Sequence, residues 1–573
     1  MKHIIPRPLP AHWQLNSVHP RLQKIYAARG VTCEQQLELQ LKHLLPWQTL
    51  KGIEAAVELL VPVVRDQQKL LVVGDFDVDG ATSTALAIRA LKLMGATQLD
   101  YLVPNRFDFG YGLSPELVAV AARRQPDLIM TVDNGIASVA GVAAAHQAGI
   151  KVLVTDHHLA GDELPAADAI VNPNQPGCEF ASKAACGCSV VFYVMLALRS
   201  RLLQLGLLPI PGPNMAQLLD LVALATVADV VPLDYNNRIL VEQGLRRIRA
   251  GQVQPGIDAL LRVAGKTPER VVSSDFGFAL GPRLNAAGRL DDMSLGIECL
   301  LSDDSRLALS MAHELDELNR SRREIEQGMQ QQAMVYVQQF QAADNLPTGL
   351  CLYQADWHQG VIGILASRIK DKVHRPVIAF AADEQNAGEL KGSARSISGL
   401  HMRDALDEVD KRSPGLIKKF GGHAMAAGLT LNSGCYEAFA QAFDQVCRRQ
   451  LNDEQLQQVI ETDGELDPAE FTLALARELK WAGPWGQAFP EPVFSGRFRL
   501  LQQRIVGERH LKLVLQPVAS ELLLDGIYFN IDPACWPNHQ TDLVSAAFQL
   551  EVNEFRGQQN VQLLIRHLAA DRN

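Results

Sequence analysis

Three aspartates lie at alternate positions in the stretch VVGDFDVDGATS, residues 72–83, directly ahead of a glycine. Asp75, Asp77 and Asp79 concentrate negative charge that must be neutralised by another group. One candidate is a calcium loop of the D-x-D-x-D-G form, which needs a bidentate glutamate at its twelfth position and a helix on each side. The twelfth position here is Leu86, so the aspartates need a different counter-charge.

The flanking residues predict a strand before the aspartates and a helix after them. KLLVVG, residues 69–74, is a short β-branched apolar run, whereas ATSTALAIRALKLMG, residues 81–95, is rich in alanine and leucine and carries Arg89 and Lys92 near its end. Strand, acidic loop and helix form the first half of a βαβ unit. In such sheets, ligands bind beyond the carboxyl ends of the strands.

Further acidic and imidazole groups end other predicted segments nearby. LIMTVDNG delivers Asp133, VLVTDHH delivers Asp156, His157 and His158, and the helical LVALATVADVVPL delivers Asp229. A single aspartate at a strand end is more often a cap or turn former, but several at one sheet edge predict a shared crevice. Carboxylates with one imidazole suit Mn²⁺ or Mg²⁺, and two such ions ~3.5 to 4 Å apart serve phosphoryl transfer. The sequence therefore predicts a pair of divalent cations.

Composition indicates a large protein of several domains. The chain has 573 residues, more than one hydrophobic core usually serves. Its formal charge of −10 argues weakly against a general polyanion binder, although a local basic groove can coexist with an acidic average. The nine cysteines are odd in number and show no C-x-x-C zinc spacing, so we expect reduced, buried thiols. With no segment typical of a signal peptide or a membrane span, we expect a cytoplasmic protein without a membrane partner.

The apolar pattern changes along the chain and predicts an α/β fold with a C-terminal β domain. Strands KLLVVGD, QLDYLVP, DLIMTVD, KVLVTD and DAIVNP alternate with helices and predict a parallel sheet. A second α/β unit begins near residue 350, and regularly spaced runs after residue 460 predict a small closed β domain. The predicted parts are an N-terminal extension (1–45), a parallel-sheet domain (46–302), a connecting long helix (303–345), a smaller α/β domain (346–459) and the β domain (460–573).

Several long motifs resemble a known superfamily. DFDVDG, VDNG, DHH and ADVVPL are similar to the motifs of the DHH phosphoesterases. VPNRFDFGYGLS, LGPRLNAAGRL, WHQGVIGILASR, GSARSI and FGGHAMAAG resemble those of the RecJ family of bacterial single-strand DNA exonucleases, over residues from about 45 to the end. The resemblance implies a DHH domain over 46–302, a DHHA1 domain over 346–459 and an OB-fold-like nucleic-acid-binding domain over 460–573.

The resemblance also implies roles for the acidic positions. The implied metal ligands are Asp75, Asp77, Asp79, Asp133, His157 and Asp229. Asp133 is implied to bridge the two ions, His158 to face the scissile phosphate, and Asp156 to orient a histidine without binding metal. Many relatives carry a histidine two residues before the first aspartate. This chain has Val73 there, so the sequence does not decide how completely the first ion is enclosed.

Recognition of DNA and of its 5′ end is implied for residues in both α/β domains. Guanidinium forks suit a terminal phosphate, glycines let backbone N–H groups approach it, and aromatic rings such as Trp357 could stack on bases or belong to the core. The implied DNA- and 5′-phosphate-binding residues are Arg106, Tyr111, Arg283, Asn285, Arg289, His358, Ser393, Arg395, Gly421, Gly422 and His423. RFRLLQQR and RHLKLVL would add positive charge to a strand-binding surface in the OB-like domain.

The implied activity is 5′→3′ hydrolysis of single-stranded DNA to nucleoside 5′-monophosphates in DNA repair and recombination. Expected partners are single-stranded DNA, a single-strand DNA-binding protein and a helicase that supplies single strands. One alternative is a DHH phosphodiesterase of short oligonucleotides or cyclic dinucleotides, which would share the metal site; the additional OB-like domain favours a polymer. The other is a catalytically silent scaffold that binds single strands, which predicts decayed ligands, whereas every aspartate named above is present.

Overall fold

The computed structural model describes residues 3–105, 112–342, 345–507, 509–518, 520–531 and 535–571. The chain divides into two compact units, a smaller one built chiefly from Glu317–Ile460 and a larger one from Pro6–Asp316 with Glu461–Asn573. Within the described residues, no helix combines the length and the apolar composition that crossing a bilayer requires.

A five-stranded parallel sheet organises the first part of the larger unit. The elements up to the end of this sheet are β1 (His3–Pro6), α1 (Pro20–Ala27), α2 (Ile53–Arg65), β2 (Leu70–Val73), α3 (Val78–Leu93), β3 (Leu99–Leu102), α4 (Pro115–Ala122), β4 (Leu128–Val132), α5 (Val139–Gln147), β5 (Lys151–Thr155) and β6 (Ala169–Val171). The sheet order is β3-β2-β4-β5-β6, with every neighbouring pair parallel. The five strands predicted from apolar runs are confirmed, and their carboxyl ends share one edge.

The acidic loop lies at this edge, between β2 and α3. β2 and β4 are wholly buried, as expected for strands of a parallel sheet that is covered on both faces. Asp77 caps α3, because its Oδ1 accepts the backbone N–H of Gly80 at 3.1 Å. Asp79 falls in the first turn of the helix, where the helix dipole favours negative charge.

A layer of helices follows the sheet. These are α6 (Gly187–Gln204), α7 (Leu219–Ala228), α8 (Tyr235–Arg249), α9 (Pro255–Val263), α10 (Ser273–Asp275), α11 (Gly281–Leu290), α12 (Ser294–Leu301) and α13 (Ser305–Ala342). α6 and α7 pack on α3 and are almost entirely buried. A π-helical turn, Phe276–Leu280, joins α10 to α11. The 38 residues of α13 confirm the predicted long helix.

The smaller unit has a five-stranded mixed sheet. Its elements after α13 are β7 (Leu350–Tyr353), α14 (Ile362–Val373), β8 (Val377–Ala382), β9 (Glu389–Arg395), α15 (Met402–Arg412), β10 (Lys419–Gly422), β11 (Ala426–Asn432) and α16 (Tyr436–Gln450). The order is β10-β11-β9-β8-β7, in which β7 and β8 are parallel and the other pairs antiparallel. Phe380, Phe439 and Phe443 lie in the core beneath this sheet. The β7-α14-β8 order confirms the predicted second α/β unit.

The C-terminal segment ends in a closed β-barrel. Its elements are β12 (Val459–Thr462), α17 (Leu473–Trp481), β13 (Phe494–Val506), β14 (His510–Pro517), β15 (Leu524–Tyr528), β16 (Leu543–Phe555) and β17 (Gln558–Ala570). The barrel order is β13-β14-β15-β17-β16, and β12 pairs separately with β1. Phe494, Phe498 and Phe548 are buried inside the barrel. The predicted small closed β domain is therefore confirmed.

The N-terminal segment packs on the residues that lead into the barrel. Arg29 Nη1 lies 2.6 Å from Asp463 Oδ1, and both side chains are buried. The hydroxyl of Tyr26 donates to the Ala482 carbonyl at 2.6 Å, and the Tyr26 ring stacks on Trp485. These contacts tie the start and the end of the chain together within the larger unit.

Candidate active site

Side chains from four separate stretches meet at the carboxyl edge of the parallel sheet. We call them the acidic cluster, which comprises Asp75, Asp77, Asp79, Asp133, His157 and Asp229. Ligand atoms of Asp75, Asp77 and Asp133 lie within 4.8 Å of one another, and so do those of Asp79, His157 and Asp229. The structure thus brings the six predicted ligands together as two adjacent groups of three.

His157 and Asp133 connect the two groups. His157 Nε2 lies 3.1 Å from Asp133 Oδ1, 3.5 Å from Asp229 Oδ2 and 3.8 Å from Asp79 Oδ2. Asp133 also belongs to the group with Asp75 and Asp77. A carboxylate with neighbours in both groups has the placement that a bridging ligand needs.

Asp79 is held by the N-terminus of α6. Its two carboxylate oxygens accept the backbone N–H groups of Gly187 at 2.6 Å and Cys188 at 2.8 Å. A Cβ added at Gly187 would lie 2.6 Å from Asp133 Cβ, so glycine lets the helix approach the cluster closely. For this stretch the sequence predicts only buried thiols. Cys186 and Cys188 are indeed buried and free, but the backbone beside them supports the site.

The loop after β5 is fixed by hydrogen bonds that orient both histidines. Asp156 Oδ1 lies 2.7 Å from His158 Nδ1 and accepts the His157 N–H at 2.7 Å. Asn172 donates to the His158 carbonyl at 2.9 Å, and Asn174 donates to the His157 carbonyl at 2.6 Å. The two asparagines, in the NPN that follows β6, were not among the predicted site residues. Their signal was a polar pair directly after a buried strand.

Protonation in this loop favours a cationic His158. Burial disfavours the imidazolium, but the hydrogen bond and the charge of Asp156, with the charges of Asp75 and Asp77, outweigh it and raise the pKa of His158 to about 9. Asp156 is itself buried, yet its bond to His158 keeps the pKa of its carboxyl low. This pair therefore places a positive charge beside the carboxylates.

The electrostatics of the acidic cluster fit divalent cations. Burial, followed by the charges of neighbouring aspartates, raises the pKa values of Asp133, Asp79 and Asp229. Within the part of the chain that the structure describes, the buried Oδ2 of Asp229 accepts no hydrogen bond. Crowded oxygen donors with one imidazole make a donor set suited to hard divalent ions, which would remove this repulsion.

Backbone conformation at two cluster positions is unusual. Asp133 has φ +62° and Val230, directly after Asp229, has φ +60°, values that non-glycine residues rarely adopt. Such conformations persist where surrounding contacts enforce them, and they concentrate at functional sites.

Val73 lies at the position where the family resemblance implies a histidine, and its side chain offers no metal ligand. Its side chain is buried in β2 within the sheet core, and its carbonyl accepts a hydrogen bond from Asn134 Nδ2 at 3.1 Å. In this chain β2 therefore contributes only apolar packing at that position.

The predicted phosphate-binding residues of the larger unit have different surroundings. Arg106 and Tyr111 lie outside the described residues. Asn285 Oδ1 accepts the Val78 N–H at 3.2 Å and so contacts the start of α3, whereas Arg289 is half-buried near the end of α11.

Arg283 is engaged by its own unit. Its Nη2 lies 2.8 Å from Asp316 Oδ1, its Nη1 donates to the Ala279 carbonyl at 2.6 Å, and its side chain is mostly buried. A guanidinium that makes these two contacts supports the fold around α11. Its predicted contact with a terminal phosphate stays a prediction.

In the smaller unit, several predicted residues converge on one patch of the sheet. Ser393 and Arg395 lie on β9, with Arg395 Nη1 3.3 Å from Ser393 Oγ. Gly421 on β10 is opposite Gly428 on β11, which is in turn opposite Ser393. Because glycines occupy two of these three places, the patch has open backbone beside the hydroxyl and the guanidinium.

The beginning of α14 adjoins the same patch. A Cβ added at Gly363, in its first turn, would lie 3.0 Å from Ser393 Oγ and 3.1 Å from Arg395 Nη2. His358 precedes this helix and its Nδ1 accepts the Gly360 N–H at 3.0 Å. A helix N-terminus next to a serine and an arginine makes an environment that favours anions.

Three other residues of the smaller unit were also candidates from the sequence. Gly422 has φ +145° at the end of β10, and the N–H of the following His423 donates to the Ala426 carbonyl at 2.8 Å. Of the two alternatives for Trp357, stacking on bases or packing in the core, the structure supports the second, because the residue is 4% exposed and its Nε1 donates to Gln332. It belongs to the core.

Comparisons with known proteins agree with this architecture. Residues 69–226 match the model of the DHH family, N-terminal domain, residues 346–449 match the DHHA1 domain, and residues 462–567 match the RecJ OB domain. The single-stranded-DNA-specific exonuclease RecJ of Dickeya dadantii is 57% identical over 557 residues, which are 96% of this chain and 96% of the relative. The chain belongs to the RecJ family.

Solved RecJ structures have the same fold. A crystal structure of RecJ from Thermus thermophilus in complex with Mn²⁺ matches with a TM-score of 0.81 at 29% identity, over 100% of this chain and 80% of that one. A complex of RecJ from the same organism with Mg²⁺ matches with a TM-score of 0.76 at 28% identity, over 100% of this chain and 78% of that one.

Proposed function

We propose that this chain is a single-stranded-DNA-specific exonuclease that degrades its substrate 5′→3′ to nucleoside 5′-monophosphates, in DNA repair and recombination. The observation that carries the proposal is the acidic cluster, in which two groups of three ligands adjoin through Asp133 and His157. Such an arrangement suits phosphodiester hydrolysis. Membership of the RecJ family supports single-stranded DNA as the substrate.

Two divalent cations, Mn²⁺ or Mg²⁺, are the proposed cofactors. Asp75, Asp77 and Asp133 would hold one, and Asp79, His157 and Asp229 the other. A bound pair of this kind lowers the pKa of a water and stabilises the attacking and leaving oxygens of the phosphodiester. The RecJ complexes with Mn²⁺ and with Mg²⁺ support both ions.

His158 and Asp156 have a separate role in the proposal. The Nδ1 contact with Asp156 at 2.7 Å fixes the ring, and the hydrogen bond and charge of Asp156 raise the pKa of His158 and so favour its protonated form. We assign Nε2 of His158 to donate to a phosphate oxygen and so to offset charge that builds up there. Asp156 acts only through His158.

The 5′ end is proposed to bind in the smaller unit. Ser393 and Arg395 would donate hydrogen bonds to a terminal phosphate beside the first turn of α14, and the exposed backbone of Gly421 would approach it. Gly422, His423 and His358 are assigned to the same pocket. Such a pocket selects polarity, because a strand that enters by its 3′ end has no terminal phosphate to offer.

Other predictions about the molecule stay proposals. We assign contacts with the DNA strand that leads to the cluster to four residues, Arg106, Tyr111, Asn285 and Arg289. Contact of Arg283 with the terminal phosphate also stays a proposal, and its guanidinium keeps the buried ion pair with Asp316. The proposed domains are 1–45, 46–302, 303–345, 346–459 and 460–573. We also propose a cytoplasmic location and, as partners, a single-strand DNA-binding protein and a helicase that supplies single strands.

The test compares strands of equal length labelled at the 5′ or the 3′ end, with duplex and cyclic dinucleotide as further substrates. In Mn²⁺ or Mg²⁺, the 5′ label should appear at once as a mononucleotide, while the 3′ label should pass through a ladder of shortening strands. EDTA should stop both reactions. Mononucleotide release from the 3′ label first, or preferential hydrolysis of the cyclic dinucleotide, would refute the proposal.

A further inference from the structure

Three large apolar side chains are exposed next to the acidic cluster. Leu159 directly follows His158 and is 64% exposed, Val230 directly follows Asp229 and is 61% exposed, and Phe278 is 81% exposed. Exposed apolar side chains beside a cluster of candidate metal ligands are candidates for contact with a bound substrate. We call these three residues the apolar rim.

Phe278 is exposed, whereas three other residues of the same turn are buried. It belongs to the π-helical turn between α10 and α11, in which Phe276, Ala279 and Leu280 are buried. π-helical turns are rare and are frequent at functional sites. The turn thus presents one aromatic ring to solvent while its neighbours hold the backbone in place.

The same turn packs against the end of α7, which leads directly into the cluster. A Cβ added at Gly277 would lie 3.7 Å from Val227 Cγ1, and one added at Gly281 would lie 3.4 Å from Ala228 Cβ. Val227 and Ala228 directly precede Asp229. The turn that carries Phe278 therefore packs on the residues that lead directly to Asp229 of the acidic cluster.

We propose that Phe278, supported by Val230 and Leu159 of the apolar rim, stacks on a nucleobase of the bound single strand and so adds to the affinity for the strand that reaches the acidic cluster. The inference deepens the proposed function and rests on it. It assigns to the larger unit a base contact that supplements the phosphate contacts.

A nucleobase fits the rim better than a protein side chain because of what the neighbouring cluster binds. Any phosphodiester at the cluster brings its attached nucleosides with it, so an apolar surface alongside lies within reach of a base. Base faces are accessible in a single strand and covered in a duplex. Stacking also tolerates every base, which suits an enzyme that removes nucleotides regardless of sequence.

The experiment is a double-mutant cycle between Phe278 and the substrate. Wild type and Phe278→Ala are assayed on single strands in Mn²⁺, with one abasic nucleotide moved through successive positions from the 5′ end. We expect Phe278→Ala to raise KM about tenfold to a hundredfold, the range of one base–aromatic stack, with kcat within about twofold. At one abasic position the wild type should show the same rise, and the variant should show no further rise.

Two further variants make the result specific. Phe278→Tyr keeps an aromatic face and should restore KM. Ile210→Ala removes another exposed side chain, which is 91% exposed on the loop after α6, and should leave KM unchanged. The 18 residues of α6 begin beside Asp133 and span about 27 Å, which carries Ile210 away from the cluster.

The outcomes separate this inference from the proposed function. An unchanged KM in Phe278→Ala, or abasic effects that add to the substitution at every position, would overturn the base contact while wild-type cleavage upheld the proposed function. A wild type that cleaves no single strand would overturn both. If Phe278→Ala misfolds by circular dichroism, Phe278→Leu repeats the cycle with apolar volume kept and the aromatic face removed.

Discussion

At the scale of single residues, Arg283 and Arg395, two of the four arginines implied to bind DNA or its 5′-phosphate, differ in the contacts that they already make. Arg395 donates to the Ala394 carbonyl at 2.8 Å and to Ser393 Oγ at 3.3 Å, both on its own strand. Arg283 is buried against Asp316. The contacts of Arg395 fix its guanidinium beside the first turn of α14, and recognition of the terminal phosphate is therefore tested first at Arg395.

Arg395→Ala should lower kcat/KM about tenfold to a hundredfold on strands with a 5′-phosphate. The reason is the loss of a charge-assisted hydrogen bond worth about 1.5 to 3 kcal/mol. On strands with a 5′-hydroxyl the loss should be much smaller, because those strands already lack the partner. Steady-state kinetics on the two substrates measures the difference.

The matched control is Arg403→Ala, which removes an exposed arginine from α15 of the same unit. It should leave kcat/KM unchanged on both substrates. Equal losses on the two substrates in Arg395→Ala would mean that this residue contacts an internal phosphate or supports the fold.

At the scale of elements, the carboxylates depend on a helix that is remote in sequence. The N-terminus of α6 supplies two N–H groups to Asp79, and Gly187 lets this helix pack directly on Asp133. The helix dipole adds to the attraction for negative charge. One helix end thus holds ligands from both groups of the acidic cluster.

Gly187→Ala should reduce hydrolysis by at least about a hundredfold without unfolding the protein. The added methyl would lie 2.6 Å from Asp133 Cβ and must displace either the aspartate or the helix, and a shift of about 1 Å at a reacting centre can cost that much. Activity assays with circular dichroism measure both effects.

Gly328→Ala is the comparison for a glycine in a helix. Among the described residues, no atom beyond its chain neighbours and the backbone of its own helix turns lies within 4 Å of a Cβ added there, so activity should be unchanged and stability equal or higher. Wild-type activity in Gly187→Ala would show that the close approach of α6 does not position Asp133.

The difference between local and remote signals also explains what the sequence could predict. The strands of the parallel sheet follow from continuous apolar runs, and Asp75, Asp133 and His157 were found because parallel strands end at one edge. The partners of Asp79 at Gly187 and Cys188 were not found, since contact across 108 positions leaves no local pattern. The positive φ of Asp133 likewise arises from packing around it.

At the scale of the whole molecule, the segment that contains the barrel makes extensive contacts with the rest of the larger unit. The residues that lead into it form a buried ion pair with Arg29 and pack on Tyr26. The carbonyl of Gln487 also accepts the Leu233 N–H at 2.8 Å, next to α8. Removal of residues from about 460 onward would expose these surfaces, so surface substitutions are the cleaner test of the barrel.

The double variant Arg499→Ala, Arg504→Ala should weaken binding of single strands with little change in kcat. Both arginines are exposed on β13, a barrel strand that contributes no residue to the acidic cluster. If each contacts a phosphate, the slope of log K against log salt should become shallower by about 1.4 in total. Binding isotherms at several salt concentrations measure that slope.

Arg497→Ala on the same strand is the control, because its Nε already lies 2.6 Å from Asp571 Oδ2. It should change the slope less than either of the other substitutions. An unchanged slope in the double variant would indicate that this face of the barrel serves a purpose other than strand binding.

Single strands are proposed to be hydrolysed at the acidic cluster, and Asp133→Ala tests this role of the cluster most directly. Asp133 adjoins both groups of ligands, so its loss should abolish turnover even at saturating Mn²⁺, while binding of single strands through contacts elsewhere stays largely intact. Asp162→Ala, at an exposed aspartate outside the cluster, should retain full activity. Turnover by Asp133→Ala at a substantial fraction of the wild-type rate would contradict the account.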